Sequence, residues 1–269
     1  MDILRIVTLA IVQGITEFLP ISSSGHLVVM EAWFEKEAVI FSDLTELTIA
    51  LHTGTLLAVI LVYWRSLVEL LNQKRSSLMP LVVATIPAAI AGVLVILLDG
   101  GKYLMDPRLT GVMFIVTGFV LWMGEPQQTD TENTDQIQTV SIRQAAWIGL
   151  AQTLAIVPGL SRSGLTIVTA RRMGLTGREA ARFSFLMSVP VIAGAAMVLL
   201  IKRFAGSEEV STANMVPWSL LFTGVVVSAV VGYFALRCLL FVLEKGRFHW
   251  FTFWCIPLGV VLLVYSINR

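Results

Sequence analysis

The chain has 269 residues, of which 56% are hydrophobic and only 14% are charged, and its mean hydropathy is +0.82. Soluble domains have a charged fraction of about 25%, so this composition excludes an ordinary soluble protein and indicates an integral membrane protein. We expect the bilayer as its surroundings and no nucleic-acid partner.

The first hydrophobic segment contains an unusual density of polar residues between Gln13 and His26. The stretch is Gln-Gly-Ile-Thr-Glu-Phe-Leu-Pro-Ile-Ser-Ser-Ser-Gly-His. A carboxylate, an imidazole and several hydroxyls are costly to place in hydrocarbon unless the protein uses them. The stretch is therefore the first candidate for a functional site.

The same stretch predicts a helix, a break and a second helix. Gln13 and Glu17 are four residues apart and share a helix face, and Pro20 ends that helix. Residues 22–25, Ser-Ser-Ser-Gly, have the composition of a backbone nest and of an N-cap for a second helix beginning near His26. Such a helix start binds phosphate, although a surface loop with an ordinary serine cap has the same composition.

Six further apolar runs are long enough to be candidate membrane spans. They cover about Leu47 to Trp64, Met79 to Leu98, Leu109 to Met123, Phe183 to Ile201, Val216 to Leu236 and Trp250 to Ser266.

A weak internal repeat divides the chain. Shifted by 139 residues, four residues of the first half fall on identical ones: Gln13 on Gln152, Ser22 on Ser161, Ser24 on Ser163 and Gly25 on Gly164. We predict an all-α integral membrane protein with six transmembrane helices and two re-entrant helical hairpins, arranged as an inverted repeat. Residues 1–269 form a single membrane domain, with halves 1–126 and 140–269 joined by the polar linker 127–139.

The second hairpin carries Arg162 between serines, in the segment Pro158 to Gly164. A guanidinium grips phosphate oxygens in a bidentate way, although a structural ion pair with Glu17 is an alternative. If the hairpins enter from opposite faces, their tips meet near the midplane, and Arg162 holds a phosphate beside Ser23, Glu17 and His26. That constellation suits phosphoryl transfer.

The distribution of Lys and Arg predicts the orientation. With the hairpins returning to the side they entered, one face collects 11 basic residues and the other 7. The richer face is expected to be cytoplasmic, which leaves both termini outside.

Along nearly its full length the chain resembles the undecaprenyl-pyrophosphate phosphatase family, the bacitracin-resistance BacA type. The resemblance is strongest in Gln13 to His26 and Pro158 to Gly164. It implies a bacterial inner-membrane enzyme that removes the terminal phosphate of a C55 polyprenyl pyrophosphate and so recycles the lipid carrier of cell-wall synthesis. It also implies six spans with two re-entrant hairpins, a site opening to the periplasmic face, help from a divalent cation, Mg or Ca, and room for a homodimer.

Carried over residue by residue, the resemblance assigns the acidic residue to Glu17, the candidate nucleophile to Ser23, the imidazole to His26 and the phosphate-gripping arginine to Arg162. The predicted phosphate-binding residues are Ser22, Ser24, Gly25, Ser161, Ser163, Gly164 and Gln13. Glu17 is also the candidate metal ligand. Some family members have a second glutamate where this chain has Gln13, and the neutral amide supplies no charge to a metal ion.

A polyprenyl-phosphate flippase or secondary transporter is the main alternative, because inverted repeats with broken helices are common in transporters. A hydrolase also needs a nucleophile and a base within reach of each other, which Ser23 and His26 offer. The sequence leaves open which of the two attacks phosphorus. It also leaves open whether His52 lines the site or is a satisfied histidine at a helix end.

Overall fold

The computed structural model describes residues 3–34, 44–72, 75–98, 104–124, 140–205 and 216–267, so the predicted linker 127–139 lies outside the described residues. Within these ranges every regular element is a helix. The helices are α1 (Ile3–Phe18), α2 (Ser23–Phe34), α3 (Leu44–Val62), α4 (Trp64–Asn72), α5 (Arg75–Leu97), α6 (Pro107–Met123), α7 (Ile142–Leu154), α8 (Arg162–Arg172), α9 (Gly177–Ala205), α10 (Trp218–Glu244) and α11 (Thr252–Ile267), with a 3₁₀ turn at Phe248–Phe251 before α11.

A helix covers each of the six predicted spans, but fewer are long and apolar enough to cross a membrane by length and composition. Among the described residues three segments qualify: Leu78–Val95, Trp218–Glu244 and Phe248–Ile267. Helices α3 and α4 meet at a bend of 79° and count as a fourth span if taken together, and α6 is apolar but shorter. The fold is therefore that of a helical membrane protein with three to four candidate spans.

The opening helix pair forms close to the predicted positions. Helix α1 ends at Phe18, two residues before Pro20, but α2 begins at Ser23, earlier than the predicted start near His26. The reason is Ser22, which adopts the left-handed φ of 64° and accepts a hydrogen bond on Oγ from the N–H of Gly25 at 3.2 Å. The chain thus turns at one residue, and the same residue caps the new helix.

The second pair, α7 and α8, is capped in the same way. Ser161 is the N-cap of α8, and its Oγ accepts a hydrogen bond from the N–H of Gly164 at 3.1 Å. The hydroxyl of each capping serine also lies near the hydroxyl of the serine two residues later. Ser22 Oγ is 3.4 Å from Ser24 Oγ, and Ser161 Oγ is 3.3 Å from Ser163 Oγ. The repeated Ser-x-Ser-Gly pattern therefore corresponds to a repeated local structure.

Long helices surround the two pairs. Helix α1 packs on α10 and α7 packs on α5, while α3 packs on α10 and α6 on α11. Between α6 and α11 the backbones touch: a Cβ on Gly111 would lie 3.0 Å from the carbonyl oxygen of Gly259, and one on Gly259 would lie 2.6 Å from that of Gly111. Small residues allow this close approach, as is usual between membrane helices. The packing brings the loops that precede α2 and α8 against each other.

Candidate active site

A polar cavity of about 520 Å³, its open mouth included, lies where the two loops meet. Hydroxyl groups dominate its wall, together with one carboxylate, one guanidinium and one imidazole. The lining residues are Thr16, Glu17, Ser22, Ser23, Ser24, His52, Ala155, Leu160, Ser161, Arg162 and Ser163.

Glu17 is the centre of the hydrogen-bond network in this cavity. Its side chain is buried in the last turn of α1, on the same helix face as Gln13, as predicted. Oε1 accepts a hydrogen bond from Arg162 Nη2 at 2.7 Å, and Oε2 accepts hydrogen bonds from Ser23 Oγ at 2.9 Å and Gln13 Nε2 at 3.1 Å. The carboxylate therefore joins residues from both halves of the chain.

Arg162 begins α8 and reaches across to the first half. Besides the ion pair with Glu17, its Nη1 donates to the carbonyl oxygen of Ser184 at 3.2 Å, and its guanidinium carbon lies 5.7 Å from the centre of the Phe185 ring. The structural ion pair given above as an alternative is thus present. Arg162 nevertheless lines the cavity, and a guanidinium has five N–H donors, so these bonds leave donors for a ligand.

Direct hydrogen bonds fasten one loop to the other. Ser22 Oγ accepts a second hydrogen bond, from the N–H of Gly159 at 3.1 Å. From α6, Thr117 Oγ1 donates to the carbonyl oxygen of Gly159 at 2.7 Å and accepts from the N–H of Ser161 at 3.1 Å. Thr117 was not among the predicted site residues. Its only signal is a polar residue inside an apolar helix.

Gly25 contributes to the site by its lack of a side chain. An added Cβ would lie 2.6 Å from Cζ of Phe114 and 2.8 Å from the backbone nitrogen of Gly159. These distances are shorter than van der Waals contact, so the close approach of the loops requires glycine here.

The ring of His26 does not line the cavity. Its Nδ1–H donates to the carbonyl oxygen of Ser22 at 2.8 Å, and its Nε2 accepts a hydrogen bond from Trp254 Nε1 at 3.0 Å. The ring also contacts Phe114 edge to face, with centroids 5.3 Å apart. Both ring nitrogens are thus occupied away from Ser23, because the first turn of α2 directs this side chain toward α6 and α11.

His52 occupies the position in the cavity that His26 does not. Its Nδ1 lies 2.7 Å from the carbonyl oxygen of Thr48, to which it donates, and its Nε2 lies 3.5 Å from Oε2 of Glu17. Of the two alternatives left open by the sequence, the structure places His52 in the lining of the site.

The other predicted residues divide into two groups. Ser22, Ser23, Ser24, Ser161 and Ser163 line the cavity with Glu17 and Arg162. Gln13, Gly25 and Gly164 do not line the cavity but contact residues that do. The amide of Gln13 donates to Glu17, and the N–H groups of Gly25 and Gly164 donate to the capping serines. Thr16 lines the cavity and was missed, although it directly precedes Glu17 in the motif.

The hydrogen-bond donors in the cavity wall suit an anion. Ser22 to Ser24 and Ser161 to Ser163 place the first turns of α2 and α8 in this wall, and the N-terminus of a helix carries a partial positive charge and unpaired N–H groups. The carboxylate of Glu17 balances the charge of Arg162, whose remaining N–H groups add further donors. A phosphate group would meet hydroxyl, backbone and guanidinium donors together.

The residues present do not fit a divalent cation held by protein ligands alone. Such ions prefer several oxygen ligands, with carboxylates among them. Among the described residues Glu17 is the only carboxylate that lines the cavity, and both of its oxygens accept other hydrogen bonds. Within the described residues no group of three or more His, Cys, Asp or Glu side chains could hold a metal ion.

Fold and site together define a helical membrane protein with a hydroxyl-rich polar cavity between two capped helix starts. The model of the family described as bacitracin resistance protein BacA matches residues 6–261. The chain belongs to this family.

Individual relatives are similar over their whole length. An undecaprenyl-diphosphatase of Rhodopirellula baltica is 37% identical over 267 residues, which cover 99% of each chain. Those of Halothermothrix orenii and Treponema denticola are 35% and 37% identical, and the matches cover 98% of each chain.

Proposed function

We propose that the protein is an undecaprenyl-diphosphatase, which hydrolyses the terminal phosphate of undecaprenyl pyrophosphate to give undecaprenyl phosphate. Through this reaction it recycles the lipid carrier of cell-wall synthesis and confers bacitracin resistance. The observation that carries the proposal is the contact chain from Ser23 to Glu17 to Arg162 in the wall of an anion site. The full-length similarity to relatives named for this activity supports it.

In this mechanism Ser23 is the nucleophile and Glu17 is the base that takes its proton. The hydroxyl of Ser23 already donates to Oε2 of Glu17, which is the geometry that activation of a serine requires. The oxygen that leaves belongs to a phosphate, so it departs without an added proton. This assignment replaces the predicted base His26, whose Nε2 accepts a hydrogen bond from Trp254 instead.

Arg162 and the serine hydroxyls hold the phosphate that is transferred. The N–H groups of Arg162 not used by Glu17 and Ser184 are available to phosphate oxygens, and the starts of α2 and α8 add positive potential. Donors fixed in advance around the developing charge stabilise a phosphoryl-transfer transition state more than the substrate.

We propose that a divalent cation, Mg or Ca, enters with the pyrophosphate and is held mainly by phosphate oxygens. The presence of a single carboxylate among the described lining residues supports this arrangement over a site made of protein ligands.

Six crossings with two re-entrant hairpins, related as an inverted repeat, remain our proposal for the fold. In the proposed repeat, α1 of the first half corresponds to α7 of the second half, and α5 corresponds to α10. The observed contact of α1 with α10 therefore has its counterpart in the contact of α7 with α5. The α6 to α11 contact, reciprocal at Gly111 and Gly259, is what a pseudo-two-fold axis between the halves would produce.

For localisation we propose the bacterial inner membrane, with the cavity opening to the periplasmic face. The excess of basic residues on the opposite face supports this orientation. A homodimer stays a prediction from the resemblance.

The test is phosphate release from undecaprenyl pyrophosphate by the purified protein, with and without chelator. Ser23→Ala is expected to remove activity. A protein that moves polyprenyl phosphate between leaflets of a vesicle but releases no phosphate would support the flippase or transporter alternative and reject the enzyme.

A further inference from the structure

We infer that His52 is the second base of the reaction and activates the water that hydrolyses a phosphoserine at Ser23. The inference rests on the proposed function and extends it from the first chemical step to the second.

The hydrogen bond of the His52 ring determines which of its two nitrogens carries the proton in the neutral form. A carbonyl oxygen only accepts, so the contact with Thr48 places a proton on Nδ1 of His52. In the neutral ring Nε2 then carries a lone pair, and this atom faces Glu17 from the cavity wall. His26 has the same tautomer, but its Nε2 is already occupied by Trp254.

The distance from His52 to Glu17 leaves Nε2 available. The separation from Oε2 is 3.5 Å, beyond the usual 2.7–3.2 Å of an N–H···O hydrogen bond. Ser23 donates to the same oxygen at 2.9 Å. The serine and the imidazole thus flank one carboxylate oxygen, and both line the cavity in which a phosphoryl group on Ser23 would meet water.

The reaction takes two steps, formation of the phosphoserine and its hydrolysis. First, Ser23 Oγ bonds to the terminal phosphorus, the bond from phosphorus to the bridging oxygen breaks, and its electron pair leaves with polyprenyl phosphate, while the serine proton passes to Glu17. Second, water oxygen bonds to phosphorus as its proton passes to Nε2 of His52, and the bond from phosphorus to Oγ breaks. Oγ recovers its proton from Glu17, and His52 releases its proton to solvent.

The charges around His52 come from several elements. Glu17 on α1 and Arg162 on α8 line the same cavity. Helix α9 also packs on α3, but its Arg178 and Arg182 act on Tyr63, 11 residues further along and roughly 16 Å away at 1.5 Å per residue.

Helix α10 approaches α3 through small residues near His52, with Ser228 Oγ donating to the carbonyl oxygen of Leu51 at 3.0 Å. The titratable residues of this helix, Tyr233, Arg237, Cys238 and Glu244, follow Ser228 in the chain, in the direction away from that contact. Among the described residues that line the cavity with His52, Glu17 and Arg162 are the charged ones.

The experiment is rapid acid quenching during turnover of undecaprenyl pyrophosphate labelled in its terminal phosphate. His52→Gln is expected to lose its label about 10²-fold more slowly than wild type, the usual effect of removing a general base, and so to accumulate acid-stable phosphoserine. His249→Gln, the same substitution outside the cavity lining, is expected to match wild type.

Two outcomes overturn the inference separately from the proposed function. If His52→Gln loses its label as fast as wild type while Ser23→Ala takes up none, the serine route stands and His52 is not its second base. If wild type and His52→Gln both turn over with no protein-bound label, water attacks directly, and the serine route fails together with the inference.

His52→Asn covers the case in which His52→Gln does not fold. Its amide can donate to the carbonyl oxygen of Thr48 from the position of Nδ1, but it places no acceptor at the position of Nε2. This variant should also lose its label about 10²-fold more slowly than wild type, and label loss at the wild-type rate contradicts the inference.

Discussion

Ser22 and Gly159 are 137 residues apart in the chain, yet the N–H of Gly159 donates to Oγ of Ser22 at 3.1 Å. The same Oγ accepts the N–H of Gly25. One hydroxyl thus serves as helix cap and as the fastening between the two loops.

Ser22→Ala should destabilise the protein by about 2–6 kcal/mol, because two buried N–H groups lose their acceptor at about 1–3 kcal/mol each. Ser22→Gly should also destabilise it, although glycine adopts the φ of 64° without strain. Thermal unfolding in detergent measures both, with the exposed Ser219→Ala as control. A Ser22→Gly protein as stable as wild type would show that strain relief outweighs the lost hydrogen bonds.

Arg162→Lys should lower turnover roughly 10²-fold or more, the usual effect of removing one donor to the transition state. The planar guanidinium can bond Glu17, the carbonyl oxygen of Ser184 and a phosphate at the same time. The ammonium of lysine keeps the charge but lacks this planar arrangement of donors. Phosphate release under saturating substrate is the measurement, and the exposed Arg143→Lys is the matched control. Near wild-type turnover in Arg162→Lys would exclude the phosphate-gripping role.

Glu17→Gln should abolish catalysis, since the amide cannot accept the proton of Ser23 as a carboxylate does. Gln13→Glu replaces the amide donor to Glu17 with a second buried carboxylate. We expect this variant to remain active and to depend more strongly on the divalent cation, because the added anionic oxygens are ligands that such an ion prefers.

Cation titrations of phosphate release measure both variants. Residual activity in Glu17→Gln that still responds to the cation would place the ion on the substrate's phosphates alone. A Gln13→Glu enzyme with an unchanged cation response would show that position 13 does not contribute to cation binding.

A comparison of His26→Gln with His26→Ala shows whether His26 positions the loop or acts as the base. A glutamine amide can donate to the carbonyl of Ser22 as Nδ1–H does, so Gln should retain most activity and stability, whereas Ala should lose about 1–2 kcal/mol for the missing hydrogen bond. If His26 were the base, Gln and Ala would be equally inactive. Turnover and thermal unfolding, measured on the same preparations, decide between the two.

Cysteine labelling tests the orientation. With Cys238 and Cys255 replaced by alanine, a small impermeant thiol reagent should label Cys at the exposed position Arg65 from the cytoplasm and Cys at the exposed position Met105 from outside. Intact and inverted vesicles provide the two sides. The reverse pattern would contradict the orientation derived from the basic residues.

Local chemistry made the candidate site largely predictable. Pro20 indicated the end of α1, and the four-residue spacing placed Gln13 and Glu17 on one buried face. The sequence also indicated that Arg162 could meet Glu17, since a lone guanidinium in an apolar chain needs an anionic partner.

The direction of a side chain at the start of a helix was not predictable. Counting residues put His26 beside Ser23, but the left-handed turn at Ser22 begins α2 earlier than expected and directs the ring of His26 to Trp254. His52 and Thr117 reach the site only through the packing of α3 and α6, which depends on contacts distant in sequence.

The pairing of Glu17 with Arg162 also constrains biosynthesis. The two residues are 145 positions apart, so at about 5–20 residues per second the carboxylate is synthesised roughly 7–30 seconds before its guanidinium. Helix α10, on which α1 packs, follows later still. The nascent first half thus holds an acidic group within an apolar segment, without its final partner, until the second half arrives.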